Sequence, residues 1–190
     1  MAILGKHGIS TTTPGNILLG AGTYHKGLEF ADGAWSGTCI GATSGGGKIA
    51  IAGELMDIEV DGALVKVKGL TVKQGGTASM EVNFAELSND VLKMGTLFEA
   101  GESDATGYTM LTDKAHITEG DYIENFGFVG MTADGSKQII VIFEHALCTS
   151  GLELEPKAKE NSIVKLTLEA VAGIDSDLDR LPVKIYYPNA

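Results

Sequence analysis

The stretch with the most obvious chemical potential is "GATSGGGK", at positions 41–48. A phosphate-binding loop has the pattern G-x-x-x-x-G-K-[ST], in which backbone N–H groups and the lysine hold phosphate and the final hydroxyl binds Mg²⁺. With Gly47 and Lys48 aligned to G-K, Ala42 replaces the first glycine and Ile49 replaces the hydroxyl. Such a loop also opens a helix, whereas the residues that follow alternate as in a strand. The stretch therefore predicts a flexible glycine-rich connection that leads into a strand.

The other residues with catalytic or metal-binding potential are scattered. The four histidines are far apart in sequence, and none has another histidine or a cysteine four residues away. The carboxylates that begin at Asp175 are similar to the start of a calcium loop, but Arg180 stands where glycine is required and Tyr186 where glutamate is required. "GTCIG" carries Cys39 where a nucleophile elbow has serine. We therefore expect no enzyme, cofactor or metal site, although a Ser-His-Asp set assembled across the fold stays open.

Charge and composition restrict the class of protein. The 190 residues carry a net charge of −11, and Arg180 is the only arginine. Binding to nucleic acid by phosphate neutralisation needs clustered Lys and Arg, so this composition argues against it. Cys39 and Cys148 fit no metal spacing and are expected to be reduced thiols. No secretory signal and no apolar run of membrane-spanning length is visible, so we expect a soluble protein with no membrane partner.

The composition of the chain predicts a framework of strands that is rich in turns. Twenty-six glycines accompany a hydrophobic fraction of 44%, a combination that indicates many strands joined by turns. We expect one domain over residues 1–190, with an N-terminal arm at 1–16 and a first strand at 17–24. Residues 27–47 lack clear periodicity and predict a long loop, with only a short strand near 38–42.

Period-two alternation predicts most of the remaining elements. It appears at residues 56–60, where Asp61-Gly62 should follow as a hairpin turn, and in "TASMEVNF" and "SIVKLTLEAVA". Ser88 should cap a single short helix that ends near Gly95. Asp134-Gly135 should join two further strands, and a short strand should end the chain. The predicted fold is mainly β, with eight to ten strands in a β-sandwich or barrel-like arrangement and one flanking helix.

Taken together, "GATSGGGKIAI", "DIEVDGALVKVKGL", "GTASMEVNFAELSNDVLKM" and the segment from "FVGMTADGSK" to "KLTLEAV" resemble the major tail tube proteins of long-tailed bacteriophages that infect Gram-positive bacteria. The resemblance covers roughly residues 41–173. It implies a β-sandwich subunit that forms hexameric rings stacked into a tube within the phage tail. The implied location is the virion, after assembly in the host bacterial cytoplasm. The implied partners are tape measure, tail terminator and baseplate proteins, with DNA only in transit.

The resemblance also suggests roles for particular residues. Glu81, Glu124 and Glu169 are candidates to line a negative channel that lets DNA slide without sticking. The glycine-rich stretch (Gly41, Ser44, Gly45, Gly46, Gly47) and the acidic loop at 99–107 are candidates for contacts between subunits, so deletion of 41–47 is predicted to abolish tubes and spare the folded monomer. Alternatives are a small β-rich hydrolase or ligand-binding module, or another phage structural protein such as a tail terminator, a decoration protein or a bacteriocin tube.

Overall fold

Strands make up most of the regular structure in the computed structural model, which describes residues 8–189. The helix α1 spans Asn89–Thr96, and two 3-10 turns lie at Pro14–Asn16 and Glu119–Asp121. The strands are β1 Leu18–Ala31, β2 Ala34–Cys39, β3 Thr43–Asp57, β4 Thr71–Phe84, β5 Glu99–Gly101, β6 Met110–Thr112, β7 Ile123–Thr132, β8 Gln138–Cys148, β9 Val164–Val171 and β10 Val183–Tyr186. The described residues are 48% strand and 8% helix, which confirms the predicted mainly β class with one short helix.

One antiparallel sheet dominates, in the order β2-β1-β7-β8-β9-β4-β3, and β10 pairs with β8. The first and last strands of this path, β2 and β3, are joined by only three residues, 40–42. Because an extended chain advances about 3.3–3.6 Å per residue, the two ends of the sheet must lie close together. The sheet therefore curls over its own core, which is consistent with the predicted β-sandwich or barrel-like arrangement.

Strand β8 helps to divide the sheet into two layers. Residues 140–143 pair with β10, whereas residues 145–148 pair with β9 along the same hydrogen-bonding edge of the strand. The inward-facing residues also change parity, because Phe143 and Ala146 both lie in the main core. A strand that changes its partner along its length is a usual way to turn a corner between packed layers.

The main core contains the apolar faces that alternation predicted. Ala78, Met80, Val82 and Phe84 of β4 are buried, and they pack with the apolar residues of β9. Helix α1 begins at the predicted cap, where the Val91 N–H donates to Ser88 Oγ at 3.2 Å. The helix ends one residue beyond Gly95, which is buried and packs so closely that a Cβ there would lie 3.0 Å from the Leu166 side chain.

The prediction of a long loop at residues 27–47 is wrong. The segment contains the end of β1, all of β2 and the start of β3. Gly27, Gly33, Gly45 and Gly46 have positive φ values, and they form the bends, the turn and the bulge of these strands. Glycine at such positions interrupts the alternation of side chains without ending the hydrogen-bonded ladder.

The end of the β3–β4 hairpin also differs from the sequence prediction. Strand β3 stops at Asp57, which pairs with Thr71, and residues 58–70 form a long connection instead of a further strand with a two-residue turn. Asp61 and Gly62 still make a local turn there. Asp134-Gly135 lies in the connection between β7 and β8 as predicted, but the turn is centred on Ala133 and Asp134, because the Gly135 N–H donates to the Thr132 carbonyl at 2.9 Å. Of the predicted N-terminal arm, residues 1–7 lie outside the described part of the chain.

Candidate functional site

The glycine-rich stretch is built into the sheet. Thr43 pairs with Phe84 and Gly47 with Val82, and the bulge between them contains Gly45 and Gly46. Gly47 lies against the buried ring of Tyr24, since a Cβ at Gly47 would stand 2.2 Å from Tyr24 Oη. The deletion of 41–47 would thus remove part of a core strand. We therefore expect the deletion to destabilise the subunit itself, whereas a role of this stretch in contacts between subunits stays a prediction.

The three glutamates proposed to line a channel share one outer face of the sheet. Glu124 lies opposite His145, and Glu169 lies opposite both Leu147 and Ser79. Glu81 follows two positions after Ser79 on β4, so its side chain points to the same side as that of Glu169. The register therefore places all three carboxylates on the face directed away from the main core. Their position relative to a channel stays a prediction.

Glu81 differs from the other two because lysines neutralise it. Its carboxylate lies 3.3 Å from Lys48 Nζ and 3.0 Å from Lys165 Nζ. Hydrogen bonds and charge attraction, first from Lys165 and then from Lys48, lower the pKa of Glu81. Two cations around one carboxylate give the immediate surroundings of Glu81 a net positive charge. Glu124 and Glu169 make no ion pair among residues 8–189, so they supply more of the negative charge on this face.

A large exposed apolar surface lies at the end of the β3–β4 hairpin. Here residues 58–70 form a projection that we call the finger. Leu64 is 98% exposed and Val65 is 78% exposed, and Ile58, Val60 and Val67 are exposed beside them. On the adjoining strand, Leu55 is 70% exposed. Contiguous exposed apolar residues of this kind usually mark a surface that another molecule covers.

The base of the finger is held closed by Asp57. Its carboxylate lies 2.5 Å from Lys66 Nζ and accepts a hydrogen bond from Thr71 Oγ1 at 2.5 Å. The hydrogen bond from Lys66 contributes most, and that from Thr71 next, to lowering the pKa of Asp57. The finger thus keeps a defined base although its tip contacts little else. Sequence reasoning missed it because "ALVKVKGL" contains the apolar residues expected of a buried strand.

The second surface feature is a concave one, and it lies between the β1–β2 turn, the β7–β8 turn and the end of β10. We call it the aromatic cleft. It has a volume of about 710 Å³, and its aromatic lining comes from Phe30, Trp35, Tyr186 and Tyr187. Trp35 contacts Phe30 with ring centroids 5.2 Å apart and Tyr186 with centroids 4.8 Å apart. The cleft lies over a small second core of Leu28, Ile140 and Ile142.

A third surface feature is a cavity of about 590 Å³ beside α1, whose lining includes Lys26, Asp90, Lys114, Asp121 and Glu124. Its most enclosed charges form a pair, with Lys114 Nζ 2.6 Å from Asp121 Oδ1 and side chains only 12% and 7% exposed. Burial acts to raise the pKa of Asp121, but hydrogen bonds from Lys114 and Thr118 outweigh it, and the pKa is lowered. This pair therefore fixes the segment between β6 and β7.

Asp121→Asn should cost about 3 kcal/mol of unfolding free energy at pH 7, because it leaves the enclosed Lys114 without a counter-charge. The pKa of Asp121 is lower in the folded chain than in the unfolded chain, so its contribution is present above the ordinary value of about 3.9 and is lost as the pH falls through the folded value. Urea unfolding at pH 7 and at pH 3 should therefore show a smaller difference between variant and wild type at the lower pH.

The control for this variant is Asp177→Asn, which removes the exposed Arg180–Asp177 pair. Exposed pairs contribute about 0–1 kcal/mol, so the control should change stability little at either pH. Equal losses in the two variants would contradict a special role for the enclosed pair.

Comparisons with known proteins do not assign a family. No protein-family model matches the chain, and no curated protein matches it significantly. Within residues 8–189, no three His, Cys, Asp or Glu side chains are grouped as a metal site would require. None of the helices in that range is long and apolar enough to cross a membrane. A function must therefore be inferred from the fold and from its exposed surfaces.

Proposed function

We propose that this chain is a structural subunit that self-assembles into stacked hexameric rings and forms the tail tube of a long-tailed bacteriophage. The observation that carries the proposal is the finger, which exposes Leu64 and Val65 almost completely at the end of a long two-stranded hairpin. Burial of apolar area stabilises association by about 25 cal/mol per Å². A subunit that presents such a projection is built to be covered by a neighbour.

The open strands of the sheet support self-assembly. Strands β2 and β3 end the path of the main sheet, and β10 pairs only with β8 in the described part of the chain. Unpaired strand edges favour uncontrolled association unless a defined partner covers them. In a ring of identical subunits, each edge meets the same neighbour in the same register, so assembly is regular and closes.

Charge supports passage of DNA through such a tube. The chain carries a net charge of −11, and Glu124 and Glu169 lie on the outer face of the sheet without ion pairs among residues 8–189. If that face lines the channel, repulsion of phosphates lets DNA move without binding. In this role the subunit belongs to the virion and meets tape measure, tail terminator and baseplate proteins at the ends and inside of the tube.

A ligand-binding module is the second candidate, and the cavity beside α1 favours it. Its volume of about 590 Å³ falls in the range of about 300–1,000 Å³ typical of small-molecule sites. A ligand held there would raise the melting temperature by mass action. Lys114 and Asp121 in the cavity wall already pair with each other, so their role there is structural. Ligand binding is therefore less well supported than self-assembly.

Electron microscopy of the purified protein over a range of concentrations is the decisive experiment. We expect rings or tubes, and three-dimensional reconstruction of them should place Glu124 and Glu169 on the inner wall. A protein that stays monomeric at every concentration, by microscopy and by light scattering, would overturn self-assembly. Tubes with both glutamates on the outside would overturn the channel assignment alone.

A further inference from the structure

The finger and the aromatic cleft are two apolar features that the described chain leaves uncovered. The exposed tip of the finger is aliphatic, whereas the cleft is concave and aromatic. No residue of the finger lines the cleft of its own chain. Phe30 and Tyr187 in the cleft wall are more than half exposed, so the cleft has apolar area to offer a partner.

Both features carry charged side chains that the described chain leaves without an ion pair. Glu59 and Asp61 lie on the ascending side of the finger, and neither makes an ion pair within residues 8–189. At the rim of the cleft, Lys137 Nζ lies 5.8 Å from the centre of the Tyr187 ring and likewise makes no ion pair in that range. Lys66 of the finger is already held by Asp57. Lys68 is on the descending side of the finger, seven positions beyond Asp61, so it is not on the same side as Glu59 and Asp61.

We propose that the finger of one copy inserts into the aromatic cleft of the next copy, with Leu64 and Val65 against the aromatic side chains and Glu59 or Asp61 beside Lys137. The inference rests on the self-assembly part of the proposed function, and it names the two surfaces that meet. Because the surfaces differ, the contact is head-to-tail, and it produces a closed ring or an open filament according to the rotation between neighbours.

Cross-linking between two differently marked chains tests the contact directly. One chain carries Leu64→Cys, the other carries Gln138→Cys on the rigid strand that lines the cleft, and both carry Cys39→Ser because Cys39 is exposed. An affinity tag on one chain distinguishes mixed products by size. With a short bis-maleimide, we expect a mixed dimer as the main product.

The matched control replaces Gln138→Cys with Lys157→Cys, which places an exposed thiol away from the cleft. A mixed dimer no more abundant than in this control would overturn the contact, whether or not tubes are seen. Tubes without the specific cross-link would leave the proposed function standing and reject the finger–cleft contact. The specific cross-link without rings or tubes would support the finger–cleft contact and reject the proposed tube.

Charge reversal tests the polar part of the contact. Lys137→Glu should raise the midpoint concentration of assembly about tenfold, which corresponds to about 1.4 kcal/mol, because like charges then face each other. Adding Glu59→Lys and Asp61→Lys to the same chain should restore the wild-type midpoint, whereas Lys157→Glu should not change it. Failure of the restored charges to recover assembly would contradict the assigned pairing.

Discussion

A chain that carries Leu64→Asp and Val65→Asp should stay folded and monomeric at concentrations where the wild-type chain forms rings or tubes. The two side chains are 98% and 78% exposed, so their replacement removes no contact that the free subunit needs. In an assembled ring, however, each substitution would remove the apolar area that Leu64 or Val65 buries and would place an unpaired charge in the interface. Central interface residues often cost about 2 kcal/mol or more each when they are replaced, so the loss of assembly should be complete.

Light scattering and electron microscopy measure the assembly, and urea unfolding measures the fold. The unfolding free energy should stay within about 0.5 kcal/mol of wild type, as is usual for exposed positions. Ile174→Asp is the matched control, because Ile174 is 95% exposed but lies in the turn between β9 and β10. Normal tubes from the finger variant, or an equal loss in the control, would contradict a specific role for the finger.

Local alternation and capping predicted a large part of the fold. The buried face of β4 and the Ser88 cap follow from side chains that are close in sequence, and the structure has both. The position of the turn between β7 and β8 was predictable for the same reason, since its bonds are local: Gly135 has a positive φ, and Asp134 accepts hydrogen bonds from Thr132 and Ser136. Such features need no knowledge of distant partners, so a single sequence contains what decides them.

The elements that sequence reasoning missed depend on distant partners. Gly45 and Gly46 form a bulge only because β4 lies alongside to define the ladder. Strand β8 exchanges β10 for β9 along its length, which no local pattern encodes. Leu64 and Val65 have the composition of a core strand, and only the three-dimensional arrangement reveals that no described part of the chain covers them.

The candidate surfaces divide in the same way. Alternation was enough to predict that Glu81 and Glu169 point away from the core, because each lies between apolar neighbours that pack in or against the core. The lysines that neutralise Glu81 come from β3 and β9, so their effect required the strand register. The aromatic cleft combines residues that are more than 150 positions apart, from Phe30 to Tyr187, and no spacing could have indicated it.

Gly47→Ala should destabilise the subunit strongly, although the change adds only one methyl group. The new Cβ would lie 2.2 Å from Tyr24 Oη and 2.5 Å from the backbone oxygen of Glu81, and the latter cannot move without disturbing the β3–β4 ladder. Overpacking of a core typically costs 1–3 kcal/mol, and we expect about 3 kcal/mol here because a backbone atom is involved. For a chain of this size that corresponds to a fall of roughly 6–12 °C in Tm.

Two further variants make the Gly47 result specific. Gly53→Ala is the matched control on the same strand, since a Cβ there would have 3.8 Å of space and the residue has no positive φ; its stability should stay near wild type. Adding Tyr24→Phe to Gly47→Ala removes the nearer clash but keeps the one with the backbone, so it should recover part of the loss. If Gly47→Ala instead kept full stability and failed only to assemble, the glycine-rich stretch would regain the role in subunit contacts that its sequence first suggested. A loss of Tm in the monomer, relieved in part by Tyr24→Phe, would establish that Gly47 serves the packing of β3 against β1.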